Sequence, residues 1–247
     1  MLELALVAVW CFVVALIGGL VGLVLGNIRL PVVLLAATSP AAGAGANIGI
    51  SSVAAATASI AHIRAGRIHW RLFAVMAPPS MLGAVAGGLI SGALPGNLLL
   101  AIIGVTLLYF GIDLLRSDHS SIEPREGGLD YRAAVVAGAV IGLIGGIVGL
   151  ILGSLRLPAL LRWVGEVPAK AVGTNVAVGF LVGLAGVVGH IPGGVDWTVL
   201  GVGSAASIPG ALLGSRLTGR LSQPQLMRAI GIVLVVAALS ILVQALV

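Results

Sequence analysis

From Leu2 almost to Val247 the chain is a succession of apolar runs, each close to the roughly 20 helical residues that cross a hydrocarbon core. Residues 116–132, RSDHSSIEPREGGLDYR, form the one long polar stretch. Such a chain cannot assemble a water-facing shell around a core. Hydrophobic residues make up 59% of it, charged residues only 9%, and the mean hydropathy is +1.19. The reading is an all-α, polytopic membrane protein with about 8–10 membrane segments. The N-terminal "MLE" lacks the basic residues of a signal peptide, and the run it opens belongs to the repeat described next, so a retained first helix is expected. The single cysteine, Cys11, allows no intrachain disulfide and reads as a small packing residue.

A shift of 127 or 128 residues superimposes one half on the other. "GLVLGNIRLP" at 22–31 becomes "GLILGSLRLP" at 149–158, Asn47 falls on Asn175, His62 on His190, Trp70 on Trp197 and Gly83 on Gly210. Two membrane repeats are expected, 1–115 and 132–247, joined by a polar linker at 116–131. Loop charge then bears on their relative orientation. "HIRAGRIHWR" holds three arginines and no acid, whereas its counterpart "HIPGGVDW" holds one Asp and no arginine; "ALPGN" is uncharged, whereas its counterpart "SRLTGRLSQP" carries Arg216 and Arg220. Basic loops stay in the cytoplasm, so equivalent loops fall on opposite faces and the repeats are inverted. Each half must then cross an odd number of times. Four apolar runs per half is even, which calls for a discontinuous or re-entrant segment within the first 62 residues and its copy.

The expected interruptions are "NIRLP" and "SLRLP", with Gly26 and Gly153 ending one half-helix and Pro31 and Pro158 opening the next. A helix start aims free N–H groups into the gap, a natural place for an anion. Arg29 and Arg156 add a full charge each, and an arginine fork suits oxyanions. Packing alternatives stand beside this: the arginines can snorkel, or pair with Glu166 or Asp113. Asn47, Thr174 and Asn175, read as opening helices after "GAGAN" and "AVGTN", either cap those helices or donate to substrate oxygens. Asn27 and Ser154, beside the arginines, complete the candidate substrate-binding set. Ser51 and Ser52 read as weaker candidates, being ordinary packing hydroxyls. His62 and His190, placed near water at helix ends, are candidates for a proton-linked role.

Other chemistries find no residues. The 13 Lys and Arg against 8 Asp and Glu give a net charge of +5, but no basic run interleaved with aromatics suggests nucleic acid. No His, Cys and carboxylate spacing suits a metal, no nucleophile and base can be paired, and "GGLVG" and "GGIVG" are not dinucleotide fingerprints. Neither enzyme activity nor a cofactor is expected.

The glycine-rich run ending in Pro-x-Leu, followed by "GAGAN" in one half and "AKAVGTN" in the other, resembles the sulfite exporter TauE/SafE family over nearly the whole chain. The resemblance implies export or exchange of sulfite or small organosulfonates across a prokaryotic inner membrane. The leading reading is a secondary transporter of a small anion bound between the repeats, driven by a proton, sodium or substrate gradient. Alternatives are a permease for another anion such as a carboxylate, and a non-transporting membrane subunit or scaffold docking a soluble partner through its basic face. The oligomeric state has no signal in the sequence.

The inverted arrangement puts residues 63–71, 116–131 and 216–222 in the cytoplasm and both termini outside. With Cys11 removed, single cysteines at positions 66 and 193 should react with an impermeant thiol reagent from opposite sides. Reaction from the same side would contradict inversion.

Overall fold

A computed structural model describes residues 2–89, 96–116, 128–148, 150–191 and 194–246, with the side chains of a few helical residues, His190 among them, outside the description. Most of the polar linker, residues 117–127, also falls outside it. Among the described residues there are ten α-helices and no strand: α1 (Leu2–Val21), α2 (Gly26–Ala36), α3 (Pro40–Arg64), α4 (Trp70–Leu89), α5 (Gly96–Arg116), α6 (Tyr131–Val148), α7 (Gly153–Ala159), α8 (Pro168–His190), α9 (Trp197–Leu217) and α10 (Gln223–Leu246). A π-helical turn, Leu160–Val164, extends α7, and a 3-10 turn, Thr218–Arg220, follows α9. Five helices carry stretches long and apolar enough to cross a bilayer: α1, α3, α8, α9 and α10. Large apolar side chains on outer faces, including Val9, Leu82, Val136 and Val243, are exposed, as lipid contact requires.

The two halves interleave. Helix α1 lies along α9 and α4 lies along α6, while α3 meets α8 and α5 meets α10. Exchanging α1–α5 for α6–α10 reproduces the same pairs, which is the reciprocity a two-fold relation between the halves generates. Apolar attraction is weak between helices already surrounded by lipid, so association depends on close backbone approach at small residues. A Cβ at Gly210 would lie 2.3 Å from the Phe12 carbonyl oxygen of α1, and one at the corresponding Gly83 would lie 2.4 Å from that of Ala139 on α6. Each seam therefore requires glycine.

The helix interruptions lie about five residues upstream of the expected position. Helix α1 stops at Val21, residues Gly22–Leu25 are non-helical, and α2 runs from Gly26 straight through Pro31; in the second half α7 runs from Gly153 through Pro158. Gly26 and Gly153 therefore open helices and Pro31 and Pro158 sit inside them. The cause is the helix C-terminus. Gly22 has φ +70° and Leu23 N–H donates to the Gly18 carbonyl at 2.8 Å, the six-to-one closure of a glycine-terminated helix. Leu150 donates to Gly145 in the same way at 2.9 Å. Helix α2 tolerates an internal proline because the carbonyls it frees find side chains. Gln244 Nε2 of α10 donates to the Asn27 carbonyl at 3.4 Å, and Trp10 Nε1 of α1 donates to that of Ile28 at 3.1 Å.

The other helix starts also differ from expectation. Helices α3 and α8 begin at Pro40 and Pro168, so Asn47, Thr174 and Asn175 lie two turns inside and cap nothing. Ser39 caps α3 instead, accepting from Ala42 N–H at 3.1 Å. Asp196 caps α9 by accepting from Val199 N–H at 3.0 Å and holds the Thr38 N–H at 3.0 Å, tying the halves together at that end. The Val199 amide, with that of Thr38, holds the Asp196 carboxyl below the usual carboxylate range.

Candidate functional site

The two breaks meet inside the molecule, where Val24 and Ile151, one from each, share an apolar cluster with Ile48 and Ala55. Broken backbone in a membrane must be satisfied by protein groups, and one side chain does much of that here. Asn175 Nδ2 donates to the Gly22 carbonyl at 2.6 Å and to the Gly153 carbonyl at 3.0 Å, joining the end of α1 to the start of α7. Asn47 Nδ2 donates to the Gly26 carbonyl at 3.1 Å. The amide hydrogens expected to meet a substrate thus bind backbone: both of Asn175 and one of Asn47 are engaged.

Arg29 and Arg156 are almost completely buried, at 1% and 0% exposure. Neither pairs with a carboxylate among the described residues; Asp113 pairs with Arg162 at 2.5 Å and Glu166 faces His69 at 3.8 Å. The ion-pair alternatives for the two arginines are thereby answered. Despite the symmetry of their positions, the guanidiniums differ in their surroundings. Arg29 Nε donates to Asn47 Oδ1 and Nη2 to the Asn47 carbonyl, both at 2.9 Å, and Nη2 also donates to Ser51 Oγ. Among the described residues Arg156 makes one long contact, from Nη1 to Asn175 Oδ1 at 3.5 Å, and its Nε has no partner. The residue corresponding to Ser51 in the second repeat is Gly179, whose Cβ position would lie 4.0 Å from Arg156 Nη1.

The remaining candidates separate. Thr174, one residue from Asn175, accepts from the His69 N–H at 3.0 Å and belongs to a second polar group with His69 and Glu166 at the start of α4. Asn27 is buried with Nδ2 unpartnered, and Ser154 is buried beside Arg156 in α7. His62 is not near water: it is 0% exposed. The α3 register buries it inside the bundle instead of leaving it at a wet helix end. His190 lies outside the described side chains. Ser51, treated in the sequence as a packing hydroxyl, belongs to the arginine cluster; its spacing of four from Asn47, one helical turn, was the available signal.

The space beside Arg29 is small and apolar apart from the guanidinium. A cavity of about 20 Å³, lined by Val14, Ala15, Val24, Ala54, Val176 and Ala211 among others, has room for about one water. The space beside Arg29 is too small for an oxyanion.

These features define a multi-pass helical membrane protein in which polar groups of two interleaved repeats converge on paired backbone breaks. The chain belongs to the sulfite exporter TauE/SafE family, whose sequence profile matches residues 7–241. It is 27% identical to a "Probable membrane transporter protein" of Xylella fastidiosa strain Temecula1, covering 91% of this chain and 92% of that one. It is 26% identical to "Probable membrane transporter protein YjnA" of Bacillus subtilis, covering 98% of this chain and all of that one. No solved structure matches.

If Asn175 satisfies the breaks, Asn175→Leu should destabilise the protein by about 1–3 kcal/mol, since two buried carbonyls lose a donor and the Leu side chain has none. Thermal unfolding of the detergent-solubilised protein reads this, and an unchanged melting temperature would show that the breaks do not depend on the amide.

Proposed function

We propose that the protein is a secondary transporter, working as an exporter of a small oxyanion of the sulfite or organosulfonate class, which it takes between its repeats at the helix breaks. The observation that carries this reading is the pair of buried guanidiniums, Arg29 and Arg156, with no carboxylate opposite them among the described residues. An uncompensated buried charge costs several kcal/mol even after relaxation, and a chain has no reason to bear two unless something neutralises them. A mobile anion neutralises them when bound and restores the unfavourable state when it leaves, so binding and release remain close in free energy. Asn27 and Ser154 flank the arginines in α2 and α7. The family description and the names of the relatives support transport of this kind.

With no nucleotide motif in the sequence, the drive is an ion gradient or the substrate's own gradient. His62, buried inside the bundle, is the group assigned to couple a proton. A carboxylate permease is the second reading, because a guanidinium fork pairs as well with a carboxylate as with a sulfonate.

Proteoliposomes test the proposal. Imposing a gradient of labelled sulfite should give uptake or release well above that of protein-free vesicles, and excess sulfoacetate should compete. A screen by thermal stability against sulfite, sulfate, thiosulfate, sulfoacetate and acetate should single out the preferred anion. Absence of flux together with absence of stabilisation by every anion would reject transport and favour a scaffold role.

A further inference from the structure

Comparison of the two arginine clusters carries an inference that rests on the anion-transport reading and goes further. In the first repeat the guanidinium edge formed by Nε and Nη2 of Arg29 is taken by two oxygens of one residue, Asn47 Oδ1 and the Asn47 carbonyl, each at 2.9 Å, with Ser51 Oγ closing the pocket. In the second repeat the corresponding groups make different contacts. Asn175 has turned its amide nitrogen onto the Gly22 and Gly153 carbonyls, and its Oδ1 reaches only Nη1 of Arg156, at 3.5 Å. Nε of Arg156 is left with no partner among the described residues while the residue is 0% exposed. Where Ser51 would stand there is Gly179, bordered by Val24 and Ile151 of the two breaks. Buried donors are almost always satisfied, and a charged donor without an acceptor is the least tolerable exception.

We propose that Arg156, beside the notch left by Gly179, is the group that holds the transported anion, and that Arg29 is an occupied copy of the same site, locked by its own chain. The first repeat displays the shape of the missing ligand: two acceptor oxygens side by side on the Nε edge, as Asn47 supplies to Arg29. The ligand class is therefore an anion presenting two geminal oxygens, a sulfonate, sulfite or carboxylate, and not a halide. Ser51 and Gly179 set the difference between the locked site and the open one. A serine at 179 would supply a hydroxyl to Arg156 as Ser51 does to Arg29. Its Cβ would lie 3.3 Å from a methyl of Val24, a contact that a small movement of that side chain relieves.

The test is isothermal titration of the purified full-length protein with methanesulfonate, and with chloride as the anion lacking an oxygen pair. Wild-type protein should bind methanesulfonate and not chloride. Gly179→Ser should weaken methanesulfonate binding by tenfold or more, and Gly179→Ala should weaken it less. Arg156→Lys serves if Gly179→Ser does not fold: it keeps the charge but loses the fork, so the preference for methanesulfonate over chloride should collapse, which a packing role would not produce. Unaltered affinity in Gly179→Ser or in Arg156→Lys would overturn the assignment while leaving anion transport standing. Absence of binding of any oxyanion by wild-type protein, together with absence of flux in vesicles, would remove both.

Discussion

Everything distinctive about this structure depends on satisfying interrupted backbone inside a membrane. Four residues at the end of α1, Gly22–Leu25, leave the helix where water cannot reach their polar groups, and the second repeat does the same before Gly153. The first break draws a donor from the other half. The Gly22 carbonyl is met by Asn175 from the other half, and the same amide serves Gly153. This cross-repeat bond accounts for the interleaving: α8 must reach the first break, and a Cβ at Gly22 would collide with Val172 of that helix. Closure of the breaks and docking of the halves are one event.

On this scaffold the arginines are an expense that packing does not explain. Within the described residues the available acids are committed elsewhere, Asp113 to Arg162, Asp196 to backbone amides and Glu166 to its neighbours Val167 and His69. Arg29 is held by neutral acceptors, which lower the penalty of burial without removing the charge. Arg156 has only one such acceptor among the described residues, Asn175 Oδ1 at 3.5 Å. On the proposed assignment, one copy of the duplicated site is held by its own chain and the other takes the anion.

Much of the architecture was legible in the sequence because apolar length and internal repetition survive without an alignment. The duplication, the helical class, the membrane setting and the existence of a break near each arginine all follow from spacing. The location of the break did not, since Pro31 and Pro158 gave a strong local signal that pointed to the wrong residue. Proline was read as a helix start, but side chains of α1 and α10 take the carbonyls freed near Pro31, a tertiary effect with no local trace. The better signal was Gly22 followed by Leu23, a helix C-terminus with an apolar residue after it. Asn47 and Asn175 were legible as important and illegible in role, because an amide that binds carbonyls looks the same in sequence as one that caps a helix or meets a ligand. The inequality of the two arginines was visible only as Ser51 against Gly179, and its meaning required knowing that four residues separate them from Asn47 and Asn175 along a helix that faces the guanidiniums.

The most direct measurement is a crystal structure grown with 2-bromoethanesulfonate, whose bromine can be located by anomalous scattering. The sulfonate should lie against Nε of Arg156 in the space beside Gly179, with Arg29 still bound to Asn47 and Ser51. Bromine found only at surface residues such as Arg64 or Arg216, with Arg156 unchanged, would contradict the account.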